Sequence, residues 1–216
     1  ASHEVDREGL ARHEAALGKL FGLLVQSHYR TTPSDLRQLL DGPGMKLRVI
    51  GPPQRPQAVL VTRDEGGFTM ELAHQVARGE RRPQGHLMAQ SLAAHGGCRE
   101  ALTARWRRGV RIASHPDRRR QGLGSRLLSD DQRQAAAEGI MLYGATFGAD
   151  AGLLRFWRAE GFVVVRLGVT REASSGEFAV MVARALTLPG ERVLSALHER
   201  FVASLPGLLA FELAHL

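Results

Sequence analysis

The chain has 216 residues, of which 44% are hydrophobic and 24% charged, enough for one well-buried domain with an appendage and not the composition of a disordered segment. Its formal net charge is +7, and all but two of the 29 basic residues, Lys19 and Lys46, are arginines. No apolar run reaches the roughly 20 residues of a membrane span, no leader pattern opens the sequence, and the single cysteine, Cys98, excludes an internal disulfide or a multi-thiolate zinc site.

In chain order, residues 4–30 have helical spacing through Leu10, Leu17, Leu20, Phe21, Leu24 and Val25. A turn at 31–33 precedes a short helix over 34–40, which 41–44 (Asp-Gly-Pro-Gly) ends. The apolar runs 47–50 and 58–61, separated by Gly51-Pro52-Pro53, predict a strand pair. Residues 68–79 read as helix, and 86–94 fit a helix or a strand equally by periodicity. A strand follows at 110–114, a helix at 123–138, a strand at 140–147, a helix at 151–160, strands at 162–167 and 178–186, and a helix at 189–204 opened by Pro189. This alternation predicts an α/β fold, a mixed central sheet flanked by helices.

Arginine forks grip phosphate bidentately, so this basic balance suits nucleic acid or a phosphorylated cofactor. Solvated helix faces and a GC-rich coding bias account for the same surplus without any site. The informative segment is Ile112-Ala113-Ser114-His115-Pro116-Asp117-Arg118-Arg119-Arg120-Gln121-Gly122-Leu123-Gly124-Ser125. A strand ends, a basic loop follows, and two glycines stand where a helix starts. Free N–H groups there, the helix dipole and the arginines make a pyrophosphate site. No Gly-Lys-Ser/Thr follows, so the loop is not a nucleotide P-loop, and the third glycine of a dinucleotide fingerprint is missing.

Arg119-Arg120-Gln121-Gly122-Leu123-Gly124 resembles the Q/R-x-x-G-x-G/A motif of the GCN5-related N-acetyltransferases (GNAT). The resemblance implies the GNAT fold and acetyl-CoA as cofactor, its pyrophosphate held by Arg119, Arg120, Gln121, Gly122, Leu123, Gly124 and Ser125. The backbone of Ile112, Ala113 and Ser114 would face the pantetheine and the thioester. The fold's first strand has no clear candidate in this sequence.

Four further segments narrow the resemblance: Ser27-His28-Tyr29-Arg30-Thr31-Thr32-Pro33-Ser34-Asp35-Leu36-Arg37, Arg82-Pro83-Gln84-Gly85-His86, Ala89-Gln90-Ser91-Leu92-Ala93 and Arg171-Glu172-Ala173-Ser174-Ser175-Gly176. Together they resemble the RNA cytidine acetyltransferase family over roughly residues 5–205. The resemblance implies acetyl transfer to N4 of a tRNA cytidine, at the wobble position of elongator tRNA(Met) in bacteria; the lone cysteine suits a reducing, cytoplasmic compartment. The resemblance also implies tRNA as partner and an ATP-driven, helicase-like module, which has no counterpart in this sequence. The sequence begins without methionine and reads as a piece of a longer chain. Residues 1–187 would form the GNAT domain, and 188–216 the helical start of a truncated C-terminal RNA-binding tail.

Cytidine N4 is a weak nucleophile, so transfer needs positioning, a route for the proton and support for the oxyanion. His28 is the candidate base, an imidazole that titrates near neutrality. An N–H near Ala113 or Ser114 would polarise the carbonyl. Direct attack is expected, because Cys98 has no paired base nearby in the sequence. Arg158 would contact the cofactor's phosphates. Phe156 and Trp157 stand where many GNAT members carry a tyrosine acid. Tyr29, Arg30, Arg82 and Arg171 are the candidate RNA contacts, with Arg81, Arg105, Trp106, Arg107 and Arg108 behind them. A structural role is expected for His115, and loop solvation for Asp150. A protein or small-amine N-acetyltransferase, or a non-catalytic acetyl-CoA- or RNA-binding module, is compatible with the same fold.

Overall fold

The structure, a computed structural model, describes residues 1–27, 34, 41–171 and 177–212. The elements run β1 (Ser2–Glu4), α1 (Arg7–Ala11), α2 (Glu14–Ser27), β2 (Met45–Ile50), β3 (Ala58–Gly66), α3 (Met70–Ala77), α4 (Leu87–Gly96), α5 (Glu100–Thr103) and β4 (Arg105–Ser114). A 3-10 turn (Pro116–Arg118), α6 (Leu123–Ala137), β5 (Leu142–Gly148), α7 (Ala151–Ala159), β6 (Val163–Arg171), β7 (Phe178–Ala185), α8 (Leu188–Gly207) and a π-helical turn (Leu208–Glu212) follow. The strands form a mixed seven-stranded sheet in the order β1-β2-β3-β4-β5-β7-β6. The chain divides into two compact units, Ala1–Asp64 with Gly109–Glu138 and Glu65–Arg108 with Gly139–Leu216.

In the first unit β2 pairs antiparallel with both β1 and β3. Leu20, Leu23 and Leu24 of α2 are buried in one cluster with Leu47 and Val49 of β2, Val59 and Val61 of β3, and Ala113 of β4. The buried Arg48 of β2 reaches α6, where its Nε donates to Asp131 at 3.3 Å and its NH2 to Gln134. Asp130 accepts from the Ser2 backbone N–H at 3.1 Å and the Ser2 hydroxyl at 2.6 Å.

Two expectations are corrected here. The missing first strand is Ser2–Glu4: three residues without an apolar signature, held by pairing with Arg48, Val49 and Ile50 and by Asp130. The single helix over 4–30 is instead β1, α1 and α2. Asp6 caps α1 by accepting from the Glu8 and Gly9 N–H groups, and α2 restarts at Glu14 after a break at Arg12 and His13. The expected helix over 34–40 lies outside the described residues except at Ser34 and is not described further.

In the second unit β7 pairs antiparallel with β5 and with β6, and β6 carries two bulges. Met88 and Leu92 of α4, Leu102, Trp106, Leu142, Val165, Met181, Ala183 and Leu197 of α8 are buried in one cluster. The helix at 188–207 therefore belongs to this unit's core. Gly144 makes room for Met88, because a Cβ there would stand 2.5 Å from the Met88 sulfur. On α7, the buried Trp157 packs edge-on to Phe162 at 4.8 Å and stacks on Phe147 at 6.3 Å. The ambiguous 86–94 segment is a helix, and α5 has no counterpart in the sequence reading.

Candidate active site

The site is built within the first unit. β4 delivers the chain to it: Ala113 turns into the core, while Ile112 and Ser114, one residue to either side, are half-buried and alternate to the other face. The His115 N–H donates to the Gln57 carbonyl at 2.8 Å, which holds the strand end to the β2–β3 connection. The His115 ring then caps the 3-10 turn, Nδ1 accepting from the Asp117 N–H at 3.4 Å. This is the structural role expected for His115.

Arg119, Arg120 and Gln121 follow as an exposed loop. Arg120 has φ 59°, the only positive φ at a non-glycine among the described residues, and Gly122 has φ 72°. Two left-handed residues so close together turn the chain sharply into α6. The buried Leu123, Leu127 and Leu128 anchor the helix behind the turn.

Gly122 is the N-cap and supplies no side-chain acceptor, and the first turn of α6 carries no acid. The N–H groups of a helix's first turn have no intrahelical partner, and the macrodipole makes that end positive. Arg118, Arg119, Arg120 and Arg126 are exposed around it. A Cβ built on Gly122 meets nothing within 4 Å, so the turn is open above the helix start. Oriented amides, a dipole and guanidinium forks at one open turn have the chemistry that suits an anion such as a pyrophosphate group. Arg119, Arg120, Gln121, Gly122, Leu123, Gly124 and Ser125 thus come together, with Ile112, Ala113 and Ser114 leading into them.

The other candidate residues are placed as follows. Arg158 lies in the last turn of α7 in the second unit, exposed. His28, Tyr29 and Arg30 lie outside the described residues. Arg82 is exposed on the loop before α4, where Gln90 Nε2 donates to the Pro83 carbonyl at 2.6 Å. Arg171 ends β6, its Cα opposite Phe178.

Several basic and aromatic residues are committed elsewhere. Arg107 is fully buried, which removes it from RNA contact. Trp106 is also fully buried and donates Nε1–H to the Ala101 carbonyl at 2.9 Å, so it is a core residue. Arg108 is ion-paired with Glu65. Asp150 caps α7, accepting from the Leu153 N–H at 2.7 Å. His86 Nδ1 accepts from the Gly66 N–H at 2.8 Å.

Cys98 is fully buried and its thiol donates to Glu100 at 3.4 Å. Burial first, and the Glu100 hydrogen bond second, push the thiol's pKa up, so it stays protonated. Among the described residues no group of His, Cys, Asp and Glu could hold a metal ion. No described helix is long and apolar enough to cross a membrane.

Residues 19–136 match the family described as GNAT acetyltransferase 2. A tRNA(Met) cytidine acetyltransferase of Nitrosococcus halophilus is 42% identical over all of this chain, which spans 29% of that relative's length. The protein of the same description from Salmonella typhimurium is 42% identical over 84% of this chain and 27% of its own length. That from Pyrococcus furiosus is 33% identical over 92% of this chain and 23% of its own length. Among solved structures, the ribosomal-protein-S18-alanine N-acetyltransferase of Escherichia coli has a TM-score of 0.57 at 12% identity, covering 87% of this chain and 94% of that one. An aminoglycoside 6'-N-acetyltransferase complexed with coenzyme A has a TM-score of 0.55 at 9% identity, covering 87% and 97%. These two show the GNAT fold.

Proposed function

Because the chain belongs to the GNAT acetyltransferase 2 family, we propose that it is the acetyl-CoA-dependent N-acetyltransferase domain of a longer tRNA(Met) cytidine acetyltransferase, acting on N4 of the wobble cytidine. The observation that carries the cofactor half is the uncapped start of α6 behind the arginine–glycine turn. The RNA half is supported by the likeness to tRNA(Met) cytidine acetyltransferases, which in the Nitrosococcus halophilus relative runs along the whole chain.

Acetyl-CoA supplies an acetyl group activated as a thioester. The backbone at Arg119, Arg120, Gln121, Gly122, Leu123, Gly124 and Ser125 holds its pyrophosphate, and Arg158 contributes a phosphate contact. Ile112, Ala113 and Ser114 orient the pantetheine arm, and an N–H of Ala113 or Ser114 supports the carbonyl oxygen as charge develops on it. His28 removes the amine proton. Transfer is direct, since the one thiol of the chain is buried and held protonated. Tyr29, Arg30, Arg82 and Arg171 engage the tRNA. Residues 188–216 form the helical start of a C-terminal RNA-binding tail, anchored by Leu197 of α8 in the second unit's core, and an ATP-driven helicase-like module belongs to the longer protein, which works in the cytoplasm with its tRNA.

Calorimetric titration with acetyl-CoA tests the site. Stoichiometric binding is expected, and Gly122→Glu, which puts bulk and negative charge at the helix start, should weaken it by more than about tenfold with the fold retained. Unchanged affinity in that variant would overturn the assignment.

A further inference from the structure

Between the end of β4 and the start of α6, two side chains grip the backbone of Asp117. His115 Nδ1 accepts from the Asp117 N–H at 3.4 Å, and Gln121 Nε2 donates to the Asp117 carbonyl at 3.3 Å. His115 is the cap of the 3-10 turn, and Gln121 directly precedes the Gly122 N-cap of α6. The two bonds therefore tie one peptide to both the entry and the exit of the loop. The backbone adds a bond from the Arg118 N–H to the His115 carbonyl at 2.8 Å and one from the Arg119 N–H to the Pro116 carbonyl at 3.3 Å.

Inside the tie stand Arg118, Arg119 and Arg120, all exposed. Their like charges push the segment to spread. Arg120 also sits at φ 59°, a left-handed backbone that a residue with a Cβ keeps only where its surroundings hold it. Gly122 takes the same conformation freely. A spread loop and a relaxed Arg120 are what the chain would adopt without the two bonds to Asp117.

We propose that Gln121, acting with His115, is a positioning residue for the cofactor: the two side chains clamp the Asp117 peptide and so hold the three arginines in the shape that meets a pyrophosphate. This rests on the acetyl-CoA reading given above. The Gln121 amide group is committed to the loop, not to the phosphate. A loop ordered before binding loses less freedom when the anion arrives, and the difference appears as affinity.

The test uses the full-length enzyme. Gln121→Met keeps the length of the side chain and its lack of charge but removes the donor. It should weaken acetyl-CoA binding by about twofold to tenfold, the range of one modest hydrogen bond. KM for acetyl-CoA should rise, with kcat at saturating cofactor and the unfolding midpoint retained. Without cofactor, trypsin should cut after Arg118 and Arg119 several times faster in Gln121→Met than in the wild type, because cleavage follows opening of the loop. His115→Phe should act in the same way, and the double variant should lose less than the two effects combined, since both bonds hold one peptide. Weakened binding with unchanged cleavage would make Gln121 a direct phosphate ligand and overturn the clamp. Unchanged affinity in Gln121→Met, or fully additive losses, would overturn the positioning role. A wild-type enzyme that binds no acetyl-CoA would overturn the cofactor reading, and the positioning role with it.

Discussion

Glu65 and Arg108 form an ion pair in which the carboxylate side chain has no exposed surface and the arginine side chain is 13% exposed. The second oxygen of Glu65 accepts the Met88 N–H at 2.8 Å, at the start of α4. In return His86 accepts the N–H of Gly66, the residue after Glu65. The end of β3 and the start of α4 are thus bound reciprocally, each supplying a side chain to the other's backbone. Gly66 is part of the same arrangement: at φ 70° a Cβ there would stand 2.2 Å from the Ala104 carbonyl oxygen. Met88, held by Glu65 through its N–H, drops its sulfur into the space left by Gly144.

Removing the acid leaves a nearly buried guanidinium without its counter-charge. Glu65→Ala should lower the unfolding free energy by about 3–5 kcal/mol. Glu65→Gln keeps an acceptor for Met88 and should cost less. Urea unfolding of both variants checks this; a loss under about 1 kcal/mol in Glu65→Ala would mean that the pair contributes no more than a surface bridge.

The proposed direct transfer separates two residues that each carry a nucleophilic or basic group. Cys98→Ala in the full-length enzyme should leave turnover unchanged, with a stability loss of about 1 kcal/mol from the small cavity. His28→Ala should retain acetyl-CoA affinity and lose turnover by about a hundredfold or more. Steady-state rates beside calorimetry distinguish the two. Lost turnover in a folded Cys98→Ala enzyme would point instead to an acyl-enzyme.

Asp130 sets an acid limb on stability. Its hydrogen bond from the Ser2 hydroxyl, with the Ser2 N–H and Arg133 adding to it, holds its carboxyl below the usual carboxylate range against a smaller opposing effect of burial. A depressed folded value contributes stability that is complete above the unfolded carboxyl's titration, near about pH 4, and is lost as pH falls through the folded value. The stability difference between the wild type and Asp130→Asn should therefore be constant at neutral pH and shrink below about pH 4. Denaturation midpoints across that range measure it, and parallel curves for the two proteins would contradict the linkage.

Much of the fold was legible because its apolar residues keep period. β2, α6, α7 and β7 lie where alternation or helical spacing places them, and the strand–loop–helix segment from Ile112 to Ser125 could be read as an anion site from contiguous residues. What stayed hidden had no local pattern. β3 continues past Val61 through Thr62, Arg63, Asp64 and Glu65, and β4 begins at Arg105 rather than Val110. In a sequence, Arg105-Trp106-Arg107-Arg108 resembles a basic surface patch. Folded, Trp106 and Arg107 are fully buried and Arg108 faces a buried acid.

The sequence by itself determined the class of the sheet and the backbone course of one basic turn, because strand alternation, helix period and the backbone freedom of Gly122 act over a few neighbouring residues. The tertiary structure alone decided that Ser2, His3 and Glu4 are a strand and that Arg107 and Arg108 are withdrawn from solvent. Each depends on a partner far along the chain: Asp130 for Ser2, Glu65 for Arg108. A charge's place in a protein follows from its counter-charge or its backbone donor, and those are brought within reach only when the strands pair.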